Sequence, residues 1–266
     1  MITAIVMMAA MQLVPQQATG LKLTNVRRIR GIYGKEIKSN EVMVGGVYLL
    51  AWTIDGLKMD DEGKVSYSVE RQILNSKGKA LVTQKAQKKE LYVSLGQGTV
   101  NSEIYSTQVG TETEPGEYVI KITVKDEAAG TSKSFEEKVK VVPMKFGIVR
   151  VHLSADPDGL VPLPPVAVAG MHYEVNFFVC GFSLDNTSNQ PKFKVSVQML
   201  EDGKPILKKV DAKTFTRAAR GQKLIRFNSP LQMNRAGKFT VQLKAEDLVA
   251  KKTFTEEFDI TVLPVK

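Results

Sequence analysis

The sequence predicts an all-β protein built as two tandem antiparallel β-sandwiches. Three observations lead there: apolar and polar residues alternate with a period of two, turn signals recur between the alternating runs, and one half of the chain repeats the other at an offset of 125 residues.

Taken in order, the first half reads as strands over Leu21–Arg30, Tyr48–Ile54, Val65–Ile73 and Ala80–Thr83, then a weak middle strand or two, then Tyr118–Val124 and Phe135–Val141. Tyr118, Ile120, Ile122 and Val124 alternate with Val119, Lys121, Thr123 and Lys125, the pattern of a strand with one face on a core. No segment sustains a helical period beyond a turn or two. Asn75-Ser76-Lys77-Gly78, Ala128-Ala129-Gly130 and Glu201-Asp202-Gly203 sit where strands must reverse, and Gly96-Gln97-Gly98 reads as a further strand-end turn.

The repeat sets Gly45, Tyr48 and Gly56 against Gly170, Tyr173 and Gly181, and pairs Leu50, Trp52 and Ile54 with Val175, Phe177 and Val179. With small drifts in offset it carries Asp60 to Asp185, Gly78-Lys79 to Gly203-Lys204, Tyr118 to Phe239 and Asp126 to Asp247. Such a tandem duplication divides the chain into residues 1–20, a signal peptide or N-terminal tail, and two units of 123 residues, 21–143 and 144–266. About seven strands per unit indicate a sandwich. Only Val142-Pro143-Met144-Lys145 separates the last strand of the first unit from Phe146, so the pair is expected to form a semi-rigid rod or elbow.

Pro115-Gly116-Glu117-Tyr118 leading into an alternating strand, then Asp126, then a final strand ending Val139-Lys140-Val141, resembles the last hairpin of bacterial immunoglobulin-like (Ig-like) and fibronectin-III-like domains. In that family a Tyr near the start of the penultimate strand bonds the upstream backbone as a tyrosine corner. The resemblance places Tyr118 in that role and leaves Phe239, which has no hydroxyl, to hold the second corner by packing alone. Over nearly the whole chain the paired units also resemble exported tandem Ig-like proteins of planctomycete-type bacteria, which implies a fold and a place outside the cytoplasm but no activity.

Residues 2–14 are predominantly apolar and no charge precedes Lys22. That stretch is too short for a membrane span of about 20 residues and fits the apolar core of a secretory signal, although a basic start is missing. Export is therefore expected, with no transmembrane span; the competing reading is a short hydrophobic N-terminal strand or tail.

The net charge of +9 is uneven: residues 1–143 carry 19 basic and 16 acidic side chains, residues 144–266 carry 18 and 12. Lys204, Lys208, Lys209, Lys213, Arg217, Arg220, Lys223 and Arg226 are interrupted only by Asp211, a candidate polyanion-binding surface whose plainer reading is a solvated face. Phe215 and Phe227 are the only aromatics near it, too few for base stacking, so nucleic acid is disfavoured as a partner.

Residues able to do chemistry are sparse. One cysteine, Cys180, excludes within this sequence an intramolecular disulfide, a Cys-based zinc site and an iron–sulfur cluster. Its place at a strand end without a neighbouring His makes it an inert thiol. No phosphate-cradling loop, nucleophile elbow, His-Glu-x-x-His or dinucleotide fingerprint is present. His152, His172 and Glu174 would make a two-His-one-carboxylate site only if their strands bring them together, and Asp55, Asp60, Asp61 and Glu62 read as a solvated turn rather than a calcium loop. Asp156–Pro165 reads as a stiff strand crossover, with a partner-docking loop as the alternative.

These features point to a non-enzymatic, extracytoplasmic binding or structural module with no cofactor, whose partner is another protein or an envelope polymer. The alternatives are a polyanion-binding protein using the basic surface, and a periplasmic assembly chaperone, which also joins two Ig-like domains in a basic chain. Nothing in the residues sets an oligomeric state.

Overall fold

A computed structural model describes residues 20–210 and 212–265. The signal-peptide expectation falls on residues 1–20, and 1–19 lie outside the described residues. The described chain is all-β, without a helix.

Its first half holds β1 (Lys22–Arg28), β2 (Glu41–Met43), β3 (Val47–Asp55), β4 (Lys64–Asn75), β5 (Ala80–Tyr92), β6 (Val100–Gln108), β7 (Gly116–Asp126) and β8 (Ser132–Val142). They form two sheets, in the orders β1-β3-β6 and β2-β8-β7-β4-β5. The second half holds β9 (Gly147–Ser154), β10 (Pro162–Leu163), β11 (Val166–Val168), β12 (His172–Cys180), β13 (Phe193–Glu201), β14 (Lys204–Pro205), β15 (Ala212–Phe215), β16 (Leu224–Gln232), β17 (Gly237–Asp247) and β18 (Lys252–Leu263). Its sheets run β10-β9-β12-β16 and β11-β18-β17-β13-β14, with β15 also on β13.

The alternation decides which residues are covered. Tyr48, Leu50, Trp52 and Ile54 from one sheet meet Val65, Tyr67, Val69, Ile120, Ile122 and Val124 from the other in one buried cluster drawn from residues 21–141. A second cluster, from residues 146–262, joins Tyr173, Val175, Phe177 and Val179 to Phe193, Val241, Leu243 and Ile260. Each pair of sheets therefore encloses its own core in a sandwich-like arrangement.

Four features depart from the sequence expectation. The sheets are mixed rather than purely antiparallel: β2 runs parallel to β8, and β11 parallel to β18, because the chain leaves the first sheet after β1 or β10 and joins the edge of the facing one. The strand expected over Ala80–Thr83 continues to Tyr92; Gln84–Glu90 is too polar to read as a strand because β5 is a sheet edge with nearly every residue exposed. A continuous ladder along β4 holds it in place nonetheless, with bulges near Ala86 and Leu81. The third departure is β3, covered on both faces: Leu49 and Ala51 on its outer side pack with Ile29, Ile32 and Ile104 under the segment that follows β1.

The fourth is the second corner. Tyr118 Oη donates to the Glu114 carbonyl at 2.7 Å, the bond the sequence resemblance implied. At the matching place Phe239 is not held by packing alone: the Arg235 guanidinium lies 4.7 Å from its ring centroid and makes a two-pronged pair with Glu201 at 2.7 and 2.8 Å. A planar cation over the ring face supplies the polar tie that the missing hydroxyl cannot.

Asp126 and Asp247 are buried and play the same part in each half. Asp126 accepts N–H bonds from Lys58 (2.7 Å), Ala128 and Ala129 (both 2.9 Å); Asp247 accepts them from Ser183 (2.8 Å), Val249 and Ala250 (both 2.9 Å). Each carboxylate ties the last hairpin's turn to the chain leaving β3 or β12. The expected Asp202-Gly203 reversal is present, with φ of 50° and 75°, the left-handed pair that a two-residue hairpin turn demands.

Candidate functional site

The eight cations of the predicted basic surface are all exposed but do not form one face. Lys204 lies on β14, Lys208 and Lys209 on the loop that follows, and Lys213 on β15; Arg217, Arg220 and Lys223 lie on the crossing to β16, and Arg226 is on β16 in the other sheet. Two are already engaged. Lys223 pairs with Glu112 of the first half at 2.8 Å. Arg226 donates to Asn176 Oδ1 at 2.9 Å and to the Pro157 carbonyl at 2.7 Å, pinning the Asp156–Pro165 segment. Among the described residues, none of the other six has a carboxylate within ion-pair distance.

The two histidines do not converge, which corrects the possibility of a shared metal site. His152 sits opposite Asn176 in the β9–β12 ladder, whereas His172 is four residues away along β12 and faces Gln232 on β16. At about 3.3 Å per residue, four residues separate the imidazoles by more than a metal ion can bridge. Among the described residues no group of three His, Cys, Asp or Glu side chains is placed to hold a metal.

His172 does gain a partner. Its Nε2 is 3.1 Å from Glu174 Oε1, and Glu174 Oε2 accepts from Asn228 Nδ2 at 3.2 Å. The hydrogen bond to the Glu174 carboxylate, helped by Gln232, raises the His172 pKa above its ordinary value. The protonated ring thus binds more tightly in the folded chain than in the unfolded one. Its stabilising contribution is complete below about pH 6.5 and disappears as pH rises through the raised value. Melting curves of the wild type and His172→Gln should accordingly differ most in mild acid and converge in alkali. A difference independent of pH would show that the ring acts only by packing.

On the outer face of β12, Glu174 and Asn176 are buried where β3 carries Leu49 and Ala51. Asn176 Nδ2 donates to Ser154 Oγ at 2.8 Å, and Ser154 Oγ to the Asp156 carbonyl at 2.7 Å. The crossover is therefore fastened by a polar network in the second half and by apolar packing in the first.

The remaining candidates serve structure. Cys180 is buried, its Sγ 3.6 and 3.7 Å from the Lys145 and Gly147 carbonyls, and burial pushes the thiol up to about 11. A thiol that stays protonated at neutral pH is a poor nucleophile. Asp60 Oδ1 caps the turn amides of Glu62 and Lys64, and Asp55 accepts the Thr24 and Thr99 hydroxyls.

Two groups were not foreseen. Glu103, buried inside the first sandwich, accepts the Tyr67 hydroxyl at 2.8 Å and pairs with Lys89 and, at 3.6 Å, with Arg71. Burial and the adjacent carboxylate raise the Tyr67 pKa. The signal was present in the sequence as a matter of phase, since Arg71 follows inward Val69 by two residues and Glu103 precedes inward Tyr105 by two. The second group lies at the joint between the halves. Arg150, at a left-handed φ of 57° in a β9 bulge, donates from Nε to the Gly45 carbonyl at 2.7 Å and from Nη1 to Gln108 Oε1 at 3.1 Å. Arg30 and Lys35 reach across to Glu256 and Asp259, beside a cavity of about 400 Å³.

No protein-family model matches the chain, and no curated protein matches it. Solved structures match it at very low identity and low TM-score. The red sea bream transglutaminase is 6% identical, with 91% of this chain and 31% of that chain covered and a TM-score of 0.30. The C-terminal domain of the Streptococcus pyogenes antigen I/II-family protein AspA is 10% identical, with 91% and 99% covered and a TM-score of 0.31. Dimeric latent PorU from Porphyromonas gingivalis is 11% identical, with 96% and 21% covered and a TM-score of 0.39. The chain thus spans about a third of the transglutaminase and a fifth of PorU. No helix among the described residues is long and apolar enough to cross a membrane.

Proposed function

We propose that the chain is a non-enzymatic, extracytoplasmic binding or structural module made of two tandem Ig-like sandwiches, residues 21–143 and 144–266. The observation that carries this reading is the pair of buried carboxylates, Asp126 and Asp247, each accepting three backbone N–H bonds from matching places in the two halves. Two copies of one domain account for that equivalence, and the Tyr118 corner supports the Ig-like assignment. A module role is supported by how reactive groups are used: Cys180, Glu103 and Tyr67 are buried in structural pairings. Fractionation of the native host tests the compartment. Export predicts a mature protein in the envelope or medium beginning near Thr19 or Leu21, captured there with a protein or polymer partner by crosslinking. Intact Met1 in the cytosol would overturn it.

Polyanion binding is the second reading, favoured by the six exposed cations without a carboxylate partner among the described residues. Reversing Lys208, Lys209 and Arg220 to Glu should then weaken heparin retention more than reversing Lys77, Lys79 and Lys85, which are also exposed. The first triple variant should also show a shallower dependence of log affinity on log salt, by about one unit for each cation that no longer meets an anionic group of the polymer. Lys89 is unsuited to the control set because it holds Glu103. Equal losses would mean attraction to overall charge only.

A further inference from the structure

We infer that the groove between β16 and the loop after β14 docks an extended acidic segment of a partner protein through one apolar anchor residue. This rests on the binding-module reading and gives it a site.

The groove is a cavity of about 370 Å³ whose walls include Met199, Ile206, Leu207, Leu231, Met233 and Phe239. Its floor is core: Leu231, Met233 and Phe239 are each under 10% exposed. Its rim is the reverse, with Leu207 69% and Ile206 40% exposed, apolar side chains set in a lysine-rich loop that their burial elsewhere would have relieved. The two halves differ here. In the first, β5 runs for 13 residues beside β4; in the second, that flank of β13 is divided between β14, whose ladder ends with the Ile206 N–H donating to the Met199 carbonyl at 3.0 Å, and β15, which pairs with Phe193–Ser196. The break between β14 and β15 leaves Val197 and Gln198, which line the groove, without a strand partner on that flank.

The occupant's chemistry follows from the lining and the rim. A concave apolar site with flexible Met199 and Met233 side chains accepts one leucine-sized or aromatic side chain of varied shape. Lys208 and Lys209 immediately follow Leu207, and Lys204 lies two residues before Ile206. Among the described residues these three cations lack a carboxylate partner, whereas Arg235 at the other end is neutralised by Glu201. Counting Asp202 and Asp211 of the same stretch, the rim keeps one positive charge in excess, which favours acidic residues flanking the anchor.

Fluorescence anisotropy with a labelled ten-residue peptide of mixed Glu and Asp carrying one central Leu, and with its central-Ala counterpart, tests this. The Leu peptide should bind saturably and about tenfold more tightly than the Ala peptide, the worth of one buried apolar side chain. Leu207→Glu should weaken it by about tenfold without lowering the melting temperature, because that side chain is exposed. Lys208→Glu with Lys209→Glu should weaken it and flatten its salt dependence. Equal binding of the two peptides, or displacement of both by heparin with no effect of Leu207→Glu, would overturn the groove in favour of a diffuse polyanion surface. Unaltered capture of an envelope partner by the Leu207→Glu protein would overturn the groove while leaving the module reading intact.

Discussion

Replacing Trp52 by alanine is expected to destabilise the first half by about 3–5 kcal/mol and leave the second half's unfolding unchanged; Phe177→Ala should do the converse. Both side chains are almost wholly buried, at 0% and 1% exposure, in separate cores. Trp52 meets Phe135 edge-on at 5.6 Å, and its indole Nε1 has no hydrogen-bond partner, so packing is what the alanine removes. Phe177 stacks on Phe227 at 5.6 Å within a run of rings that includes Phe193 and Phe215. Neither site can collapse without moving two sheets, which places the cost in the upper part of the usual range for core truncations. Denaturant titration followed by hydrogen exchange on peptides from each half separates the two effects. Loss of protection in both halves from either substitution would mean a single cooperative core.

Asp126→Ala and Asp247→Ala should each cost about 3 kcal/mol, since each strands three backbone donors at roughly 1 kcal/mol apiece. Both carboxylates are essentially without solvent contact, so water cannot replace the lost acceptor in the folded state. Asn at either position should recover part of the loss through its side-chain carbonyl. Thermal melts of the four variants check this, and an alanine variant as stable as its asparagine counterpart would show that the bonds contribute little.

The strands that carry one buried face were legible because their chemistry is local. Along Tyr118–Val124 of β7 and Phe239–Ala245 of β17 every inward residue is apolar and, Val119 apart, every outward one polar, so a period of two is written directly in the sequence. Elsewhere tertiary context replaced the local signal. β5 is stabilised by its ladder with β4 and not by burial, so its lysines and glutamines concealed it. β2 and β11 are three residues long, and their parallel pairing depends on the arrival of strands nearly 100 residues later. The candidate site was legible as composition but not as geometry. The sequence displayed the cations from Lys204 to Arg226, yet it could not place Arg226 in another sheet beneath the Asp156–Pro165 crossover, or Lys223 against Glu112. Arg150 carried no local signal, because its partners Gly45 and Gln108 are remote in sequence.

The central proposal, that the chain is two self-sufficient sandwiches, is tested most directly by amide NMR spectra of residues 21–143 and 144–266 produced separately and compared with the whole chain. Two folded units predict dispersed spectra for both pieces that overlay the whole-chain spectrum except near the joint, at Gly45, Glu112, Arg150, Lys223, Glu256 and Asp259. Collapse of either piece to a narrow, unfolded spectrum would contradict the account and make the chain one domain.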